Sequence, residues 1–506
     1  MTTYRSRTAL VALCATAVAA TLTGTAGAAA GTTAAATATA TAPPVLAWTA
    51  CTHKDHLDGQ QCAKLPVPLD YADPAGPQVE LAVSRLPAGR PAARHGTLAV
   101  VPGGPGSSGV RRLSQKGAAL AGQLAGAYDL VALDPRGVGG SVTAACGLAE
   151  ADRHMTTLRS WPGADGNIAQ NAERARRVAG ACAANGGAVL RSFTTANQAR
   201  DMDRFREALG ERKLSMWAVS YGTYVTAVYA QKFPHRTDRL VLDSSGDPDP
   251  ARVERGWLAN MAQGAEDRFP DFAAWAADPA RAEGERLAER PEEVRPLFLA
   301  LAAELDRAPR ASNVAGLPLT GTMLRQAMQL ALYGDAQFAP FARLVRAARD
   351  PEALPELPPE LAGALPDTDA ALMVGVICND VAWPKGVSGY GRAVAADRAA
   401  HPLTAGMPAN ITPCAFWKDG PAEPPTRITD RGPSNILMVQ NRRDPATPYA
   451  GALKMREALG SRARLLTVER GGHGVYLGNG NACSDRAVTA YLTTGERPPR
   501  DSVCPS

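Results

Sequence analysis

Six short apolar runs, each leading into a glycine-rich turn or a helical stretch, most strongly constrain how this chain can fold. Buried runs of this length that alternate with helical segments are typical of an α/β protein with a mostly parallel sheet. The predicted strands are residues 98–101, 130–133, 216–219, 240–242, 436–439 and 465–468. We therefore predict one largely parallel sheet that is covered by helices.

The interval between the fourth and fifth of these runs has a different pattern. Apolar residues recur at helical spacing from Leu324 to Ala331, Gly334 follows them, and a proline-rich segment spans residues 351–366. No convincing strand pattern occurs in this interval, so we predict a helical cap inserted between two strands. The expected parts are the first half of the sheet domain at residues 45–245, the cap at 246–400 and the completion of the sheet domain at 401–506.

The N-terminus has the features of a secretory signal. Arg5 and Arg7 precede an apolar run at residues 9–20, and small residues follow at the expected cleavage position. We predict a signal peptide over residues 1–28 and a low-complexity alanine and threonine segment over residues 29–44. The mature protein is therefore expected to be secreted and extracellular.

Composition excludes several classes of protein. Of the 506 residues, 45% are hydrophobic and 20% are charged, which is the balance of a globular protein rather than a disordered one. The net charge of +5 includes no dense basic stripe, so we expect no nucleic-acid partner. The apolar runs after the signal are too short to span a membrane. We expect a monomer.

The chain has nine cysteines, an odd number. Cys14 lies within the predicted signal peptide, so eight remain in an oxidising compartment. Eight cysteines can form four disulfides, and their number alone does not decide which of them pair.

A serine between a predicted strand and a predicted helix gives the strongest chemical signal. The strand of residues 216–219 leads into Ser220, with Ala218 two residues before it and Gly222 two residues after it. A nucleophile on such a tight turn needs small neighbours, because bulky side chains there would collide. The turn also places the hydroxyl at a helix N-terminus, which favours developing negative charge. Ala218 departs from the glycine that is usual at its position.

A glycine-rich loop follows the first predicted strand. Residues 102–106 read Pro-Gly-Gly-Pro-Gly, a stiff loop with free backbone amides, as an oxyanion hole requires. We predict that the amides of Gly104 and Tyr221 are the two donors. A phosphate-binding loop is the weaker interpretation, because no Gly-Lys-Ser or Gly-Lys-Thr follows. A simple turn remains an alternative.

His473 is the best candidate for a base among the seven histidines, because it lies in a glycine-rich loop just after the last predicted strand. Two aspartates that follow strands, Asp444 and Asp243, could orient it. We favour Asp444, since Ser220, Asp444 and His473 then follow one another in the order serine, acid, histidine. Asp243 is expected to have a structural role at the base of the cap. No zinc-binding motif occurs, so we expect no metal, and acyl transfer by a serine needs no cofactor.

Several motifs occur together in this chain: residues 101–106, residues 128–141, the elbow at residues 220–223, Cys378-Asn379-Asp380, Cys483 and Cys504. Together they resemble a known family, the secreted actinomycete α/β-hydrolases with a tripeptidyl-aminopeptidase C-terminal domain, relatives of proline iminopeptidases. The resemblance extends over nearly all of the chain from about Cys51 onward. It implies an α/β-hydrolase fold, and it supports the same triad and the same pair of oxyanion donors.

The resemblance implies an aminopeptidase that releases short peptides, such as tripeptides, from free N-termini through an acyl-enzyme. Because the family includes esterases, a secreted carboxylesterase or lactonase with the same triad remains an alternative, with a non-catalytic binding protein as a third. The expected partner is thus a peptide or a small ester. An aminopeptidase must hold a free ammonium, and the candidate carboxylates are Glu254, Glu266 and Asp380, each of which also fits a surface charge. We favour Asp380, because it follows an apolar run and a cysteine that is expected to form a disulfide, which would hold it near the hinge of the cap.

The disulfide pairs rest on spacing together with this resemblance. Each closed loop would stabilise the protein by about 3 kcal/mol, because it restricts the unfolded chain. The expected pairs join sequence neighbours: Cys51 with Cys62, Cys146 with Cys182, Cys378 with Cys414, and Cys483 with Cys504.

Overall fold

The structure is a computed structural model that describes residues 44–506, apart from Arg252, Glu283 and the side chains of Val253 and Glu254. The predicted signal peptide, Cys14 and all but the last residue of the predicted low-complexity segment lie outside the described residues.

Ten strands of the described chain form one sheet, in the order β1-β2-β3-β5-β4-β6-β7-β8-β9-β10. From β5 to β10 in that order every pairing is parallel, whereas β1, β2, β3 and β5 pair antiparallel. The strands are β1 (Thr49–Ala50), β2 (Gln61–Pro68), β3 (Gln78–Leu86), β4 (Gly96–Val101), β5 (Tyr128–Leu133), β6 (Leu214–Val219), β7 (Thr237–Asp243), β8 (Ile436–Arg443), β9 (Ala463–Gly471) and β10 (Ser502–Cys504).

The six predicted strands are confirmed as β4 to β9, and each observed strand extends beyond its apolar run. The mostly parallel sheet is therefore as predicted. The apolar runs did not reveal the antiparallel edge formed by β1, β2 and β3, nor β10 at the opposite edge.

Helices cover the sheet and fill the interval between β7 and β8. The described α-helices are α1 (Gly109–Gln123), α2 (Met155–Leu158), α3 (Ala169–Asn185), α4 (Gly187–Arg191), α5 (Thr195–Ala208), α6 (Tyr221–Lys232), α7 (Val253–Ala277), α8 (Pro291–Arg307), α9 (Gly321–Ala331), α10 (Phe338–Arg349), α11 (Asp367–Asp380), α12 (Val387–Ala400), α13 (Tyr449–Leu459) and α14 (Ala482–Thr494). No helix in this part of the chain is long and apolar enough to cross a membrane.

The interval between β7 and β8 is helical, and its described residues contain no strand. Helices α7 to α10 build a core of their own, in which Phe272, Phe298 and Phe341 pack against one another. Helix α11 belongs to a different core, because Ala370 and Leu372 pack with residues of the sheet and its covering helices. The insertion thus contributes one helix to the body of the sheet domain.

An ion pair explains part of the motif at residues 128–141. The guanidinium of Arg136 binds the carboxylate of Asp201 through two hydrogen bonds of 2.8 and 2.9 Å, and both residues are buried. Arg136 also donates to the carbonyls of Pro68 and Leu69. It therefore links the loop after β5 to helix α5 and to the end of β2.

The structure contains the four disulfides that the resemblance implies: Cys51–Cys62, Cys146–Cys182, Cys378–Cys414 and Cys483–Cys504. His53 lies close to the first of them in a group with metal-ligand spacing. Both sulfurs of that group are joined to each other, so they are not available as thiolate ligands.

Parallel pairing brings the chemical candidates to one edge of the sheet. Val219 at the end of β6 pairs with Asp243 at the end of β7, and Asp243 pairs with Val439 in β8. The carboxyl ends of neighbouring parallel strands meet at the same edge, where α/β proteins bind their ligands. Ser220, Asp444 and His473 follow these strands and their neighbour β9.

Candidate active site

Ser220 occupies a strained turn between β6 and α6. Its φ of 59° and ψ of −126° lie outside the regions that residues with a side chain normally adopt. Small neighbours make this turn possible: a Cβ on Gly103 would lie 2.7 Å from the Cβ of Ser220, and a Cβ on Gly222 would lie 2.4 Å from the carbonyl oxygen of Pro102. The turn thus has the geometry expected of a nucleophile elbow.

Asp444 and His473 are hydrogen-bonded to each other. The Nδ1 atom of His473 lies 3.0 Å from both carboxylate oxygens of Asp444, which is 1% exposed. The same carboxylate accepts hydrogen bonds from the backbone amides of Ala446 and Thr447, at 2.8 and 2.9 Å, and from the Thr447 hydroxyl at 3.0 Å. These bonds fix the carboxylate, which in turn fixes the orientation of the imidazole ring.

The surroundings of His473 favour its protonated form. Burial by itself lowers the pKa of the imidazole, but the charge of Asp444 and the hydrogen bond to it raise the pKa, and the charge of Asp243 adds to this effect. The raising effects prevail, so the pKa of His473 lies above the ordinary histidine value of 6.5. A histidine poised in this way accepts a proton readily from a nearby donor.

This raised pKa predicts the pH dependence of the free enzyme. A general base must be unprotonated, so kcat/KM should fall as the pH drops through the pKa of His473, and this acid limb should lie above the ordinary histidine value. The measurement is kcat/KM from about pH 4 to 9. In Asp444→Asn the limb should move to lower pH, because the neighbouring negative charge is lost. An acid limb that stays in place in this variant would contradict the prediction.

Asp243, the second acid candidate, holds the loop that carries His473. Its buried carboxylate accepts hydrogen bonds of 2.8 Å from the backbone amides of Val475 and Tyr476, and one of 3.0 Å from the Ser244 hydroxyl. Ser244 in turn accepts a hydrogen bond from the amide of Gly474. The structural role expected for Asp243 is therefore on the histidine loop rather than at the base of the cap.

Tyr333, just after helix α9, was not predicted from the sequence. Its carbonyl oxygen accepts a 2.8 Å hydrogen bond from the backbone amide of His473, and its ring packs edge-on against the imidazole with centroids 5.1 Å apart. The inserted helices therefore contact the histidine directly. No local sequence pattern signals this contact, because Tyr333 lies 140 positions before His473 in the chain.

Ser220 opens into a cavity of about 220 Å³ between the sheet domain and the inserted helices. Gly104 and Tyr221, the predicted oxyanion donors, line the same cavity, as does Thr447 from the turn that binds Asp444. Most of the remaining wall is apolar. Its other residues are Pro105, Leu158, Arg159, Ser160, Trp257, Leu258, Met261, Tyr333, Met373, Val374, Ile377, Met407, Thr412, Pro413 and Ala446.

The structure does not bring Asp380, the favoured ammonium ligand, to this cavity, and Glu266, a second candidate, does not line it either. Asp380 accepts hydrogen bonds from the backbone amide and the hydroxyl of Thr195 at the start of α5, and it lines a separate polar cavity. Glu266 pairs with Arg295 at 2.9 Å. These carboxylates thus have local partners that hold the fold together. The side chain of Glu254, the third candidate, lies outside the described residues.

Asn379 shows why the motif at residues 378–380 is structural. Its amide nitrogen donates to the carbonyls of Leu190 and Phe193, at 2.8 and 3.1 Å, and its oxygen accepts from the indole of Trp417 at 2.8 Å. The neighbouring Cys378 is bonded to Cys414. The motif therefore joins α11 to the segment before α5 and to the region around residue 414.

A serine on a strained strand-to-helix turn, on a mostly parallel sheet that also carries a histidine and an aspartate beyond its later strands, defines an α/β-hydrolase. Comparison with known proteins gives the family. A family profile described as TAP-like protein matches residues 401–504. The chain is 34% identical to a tripeptidyl aminopeptidase of Streptomyces lividans over 458 residues, which cover 88% of this chain and 83% of the relative.

Two further relatives have different names. The serine protease Hip1 of Mycobacterium tuberculosis is 30% identical over 500 residues, which cover 90% of each chain. A carboxylesterase B of the same organism is 30% identical over 491 residues, which cover 91% of this chain and 90% of the relative. The chain belongs to the tripeptidyl aminopeptidase-like family of α/β-hydrolases, as its motifs predict, and it is a serine hydrolase.

Proposed function

We propose that Ser220, His473 and Asp444 form the catalytic triad of this hydrolase. The Ser220 hydroxyl oxygen attacks the substrate carbonyl while His473 takes its proton, and Asp444 holds the imidazole in the required tautomer. His473 then gives the proton to the leaving amine or alcohol. Water hydrolyses the acyl-enzyme by the reverse sequence of proton transfers and frees Ser220.

The backbone amides of Gly104 and Tyr221 are the proposed donors to the tetrahedral oxyanion. Both residues line the cavity into which Ser220 opens, and Tyr221 is the first residue of α6. Donors fixed before the reaction stabilise the developing charge without further rearrangement. The helix N-terminus adds a favourable partial charge at the same place.

The proposed reaction is the release of short peptides, such as tripeptides, from free N-termini. The observation that carries this proposal is the strained Ser220 elbow, which opens into a cavity between the sheet domain and the inserted helices. The 34% identical relative that is named a tripeptidyl aminopeptidase supports this substrate class. Asp380, the favoured ammonium ligand, contacts Thr195 instead of this cavity, so Glu254 is the remaining candidate.

The experiment compares an unblocked tripeptide chromogen with its N-acetylated form and with a simple ester. An aminopeptidase should lose most of its kcat/KM on the blocked peptide, because acetylation removes the ammonium charge. Glu254→Gln should lower kcat/KM on the unblocked peptide and leave the blocked one unchanged. Equal rates on the two peptides would contradict the proposal.

A carboxylesterase is the second candidate. It is favoured by the 30% identical relative named carboxylesterase B and by the apolar wall of the cavity. In the same assay an esterase would prefer the simple ester to both peptides. Labelling of Ser220 by a fluorophosphonate would exclude a hydrolase fold that only binds its ligand.

Secretion and a monomeric state complete the proposal. The N-terminal pattern of residues 1–28 supports export. Recovery of the protein from the culture medium with a new N-terminus near residue 29 would agree with this. Retention of the full N-terminus in the cell would contradict it.

A further inference from the structure

The wall of the cavity beside Ser220 carries a positive charge and no negative one among its described residues. Among its described lining residues one side chain is charged, that of Arg159, and none is a carboxylate. Its neighbours on the wall include the apolar Leu158 and Met261. A partly buried guanidinium against such a surface loses water, which costs free energy unless a good acceptor replaces it.

Arg159 has no carboxylate within ion-pair distance in the described part of the chain. Its side-chain hydrogen bond runs from Nη1 to the sulfur of Met261 at 3.5 Å, and a thioether is a weak acceptor. Arg177 from the following helix is different, because it binds Asp152 through two hydrogen bonds of 2.8 and 2.6 Å. The guanidinium of Arg159 therefore has N–H groups that can donate hydrogen bonds to a ligand.

The backbone beside Arg159 is held in an unusual conformation. Ser160 has a φ of 34°, which residues other than glycine rarely adopt. Its hydroxyl donates to the carbonyl of Ile411 at 2.6 Å, its carbonyl accepts from the side chain of Asn410, and Ser160 and Asn410 are buried. Strain of this kind persists where the surroundings impose it, and it clusters at ligand sites. The hydrogen bonds of Ser160 therefore fix the backbone from which the Arg159 side chain extends.

We propose that Arg159 forms a subsite for a carboxylate of the substrate, so that the enzyme prefers peptides or esters with an acidic group near the scissile bond. This inference rests on the proposed function, in which Ser220 attacks the substrate in the same cavity. A guanidinium binds a carboxylate through two parallel, charge-assisted hydrogen bonds, which give both affinity and orientation. In a peptide this carboxylate is either an acidic side chain or the free C-terminus.

Two matched substrate pairs separate these sources. The first compares tripeptide chromogens ending in Glu or in Gln before the chromogen, and the second compares a tetrapeptide with its C-terminal amide. The wild-type enzyme should have a kcat/KM about 10- to 100-fold higher for the acidic member of one pair, because hydrogen bonds to charged groups are the stronger ones. The pair that responds identifies the source of the carboxylate.

Substitution then assigns the preference to Arg159. Arg159→Met should abolish it, so that the acidic and neutral members of the responding pair have the same kcat/KM, because the methionine has a similar length and carries no charge. Arg159→Lys should retain part of the preference, because it keeps the charge and loses the two-pronged geometry. Arg111→Gln, an exposed arginine on α1, is the matched control and should change nothing.

A measurement on the wild-type enzyme needs no variant. Glutarate should inhibit turnover of a neutral substrate with a Ki at least about tenfold lower than that of the uncharged glutaramide. Equal Ki values, equal rates within both substrate pairs, or a preference that survives in Arg159→Met would overturn the proposal. If Ser220 is still labelled and neutral substrates are still turned over, the carboxylate subsite alone fails. Loss of both would refute the proposed function instead.

Discussion

Ser220→Ala should reduce kcat on the unblocked tripeptide chromogen by a factor on the order of 10⁵ or more. The alanine methyl group cannot attack a carbonyl, and the remaining binding and oxyanion contacts supply only a small residual rate. Steady-state kinetics with purified protein measure the effect, after thermal unfolding has shown that the variant is folded. Activity within tenfold of wild type would remove Ser220 as the nucleophile.

Ser461→Ala is the matched control for this substitution, because Ser461 is exposed and precedes β9, at the edge of the parallel sheet opposite to the elbow. Its kcat should equal that of the wild-type enzyme. A fluorophosphonate probe gives an independent readout, since it labels an activated serine directly. The wild-type protein and the control should be labelled and Ser220→Ala should not. A label that persists in Ser220→Ala would place the nucleophile elsewhere.

Asp444→Asn should reduce kcat by about 10⁴-fold. An asparagine of the same size removes the charge that stabilises protonated His473, and its amide can impose the wrong tautomer on the ring. Asp419→Asn is the matched control, because Asp419 is an exposed carboxylate in the loop before β8. The control should keep wild-type kinetics.

Asp243→Asn tests the alternative acid in the same assay. The carboxylate of Asp243 accepts two backbone amides with its two oxygens, and an amide side chain has only one oxygen, so one buried N–H loses its partner. This variant should lose about 1–3 kcal/mol of unfolding free energy. Its kcat should fall less than that of Asp444→Asn. The reverse order would contradict the assignment of Asp444 as the acid of the triad.

Local sequence patterns were sufficient for the central sheet and for the elbow. The strands β4 to β9 are buried on both faces, so each contains a continuous apolar run. Such a run can be recognised without knowing which strands pair with it. The small residues around Ser220 follow from the backbone of the turn itself. Ser220, Asp444 and His473 could be expected to lie near one another, because each follows a parallel strand and the carboxyl ends of parallel strands meet at one edge of the sheet.

The antiparallel edge was less visible. Strand β2 contains Pro66 and Pro68, and β3 includes the polar Gln78 and Glu80, so neither has a continuous apolar run. A proline ordinarily argues against assigning a segment as a strand, except near the edge of a sheet. Strand β10 has only three residues, which is too short for a periodic pattern, and Cys504 within it is bonded to Cys483.

The sequence by itself determined the class of fold and the residues that could react, because a buried strand, a tight turn and a helix start each impose local rules on residue type. Tertiary structure alone decided which charged groups line the cavity beside Ser220. It placed Asp380 on Thr195 and Glu266 on Arg295, and it left Arg159 on the wall beside Ser220. Contacts between residues far apart in the chain depend on how helices pack, and no local pattern records them.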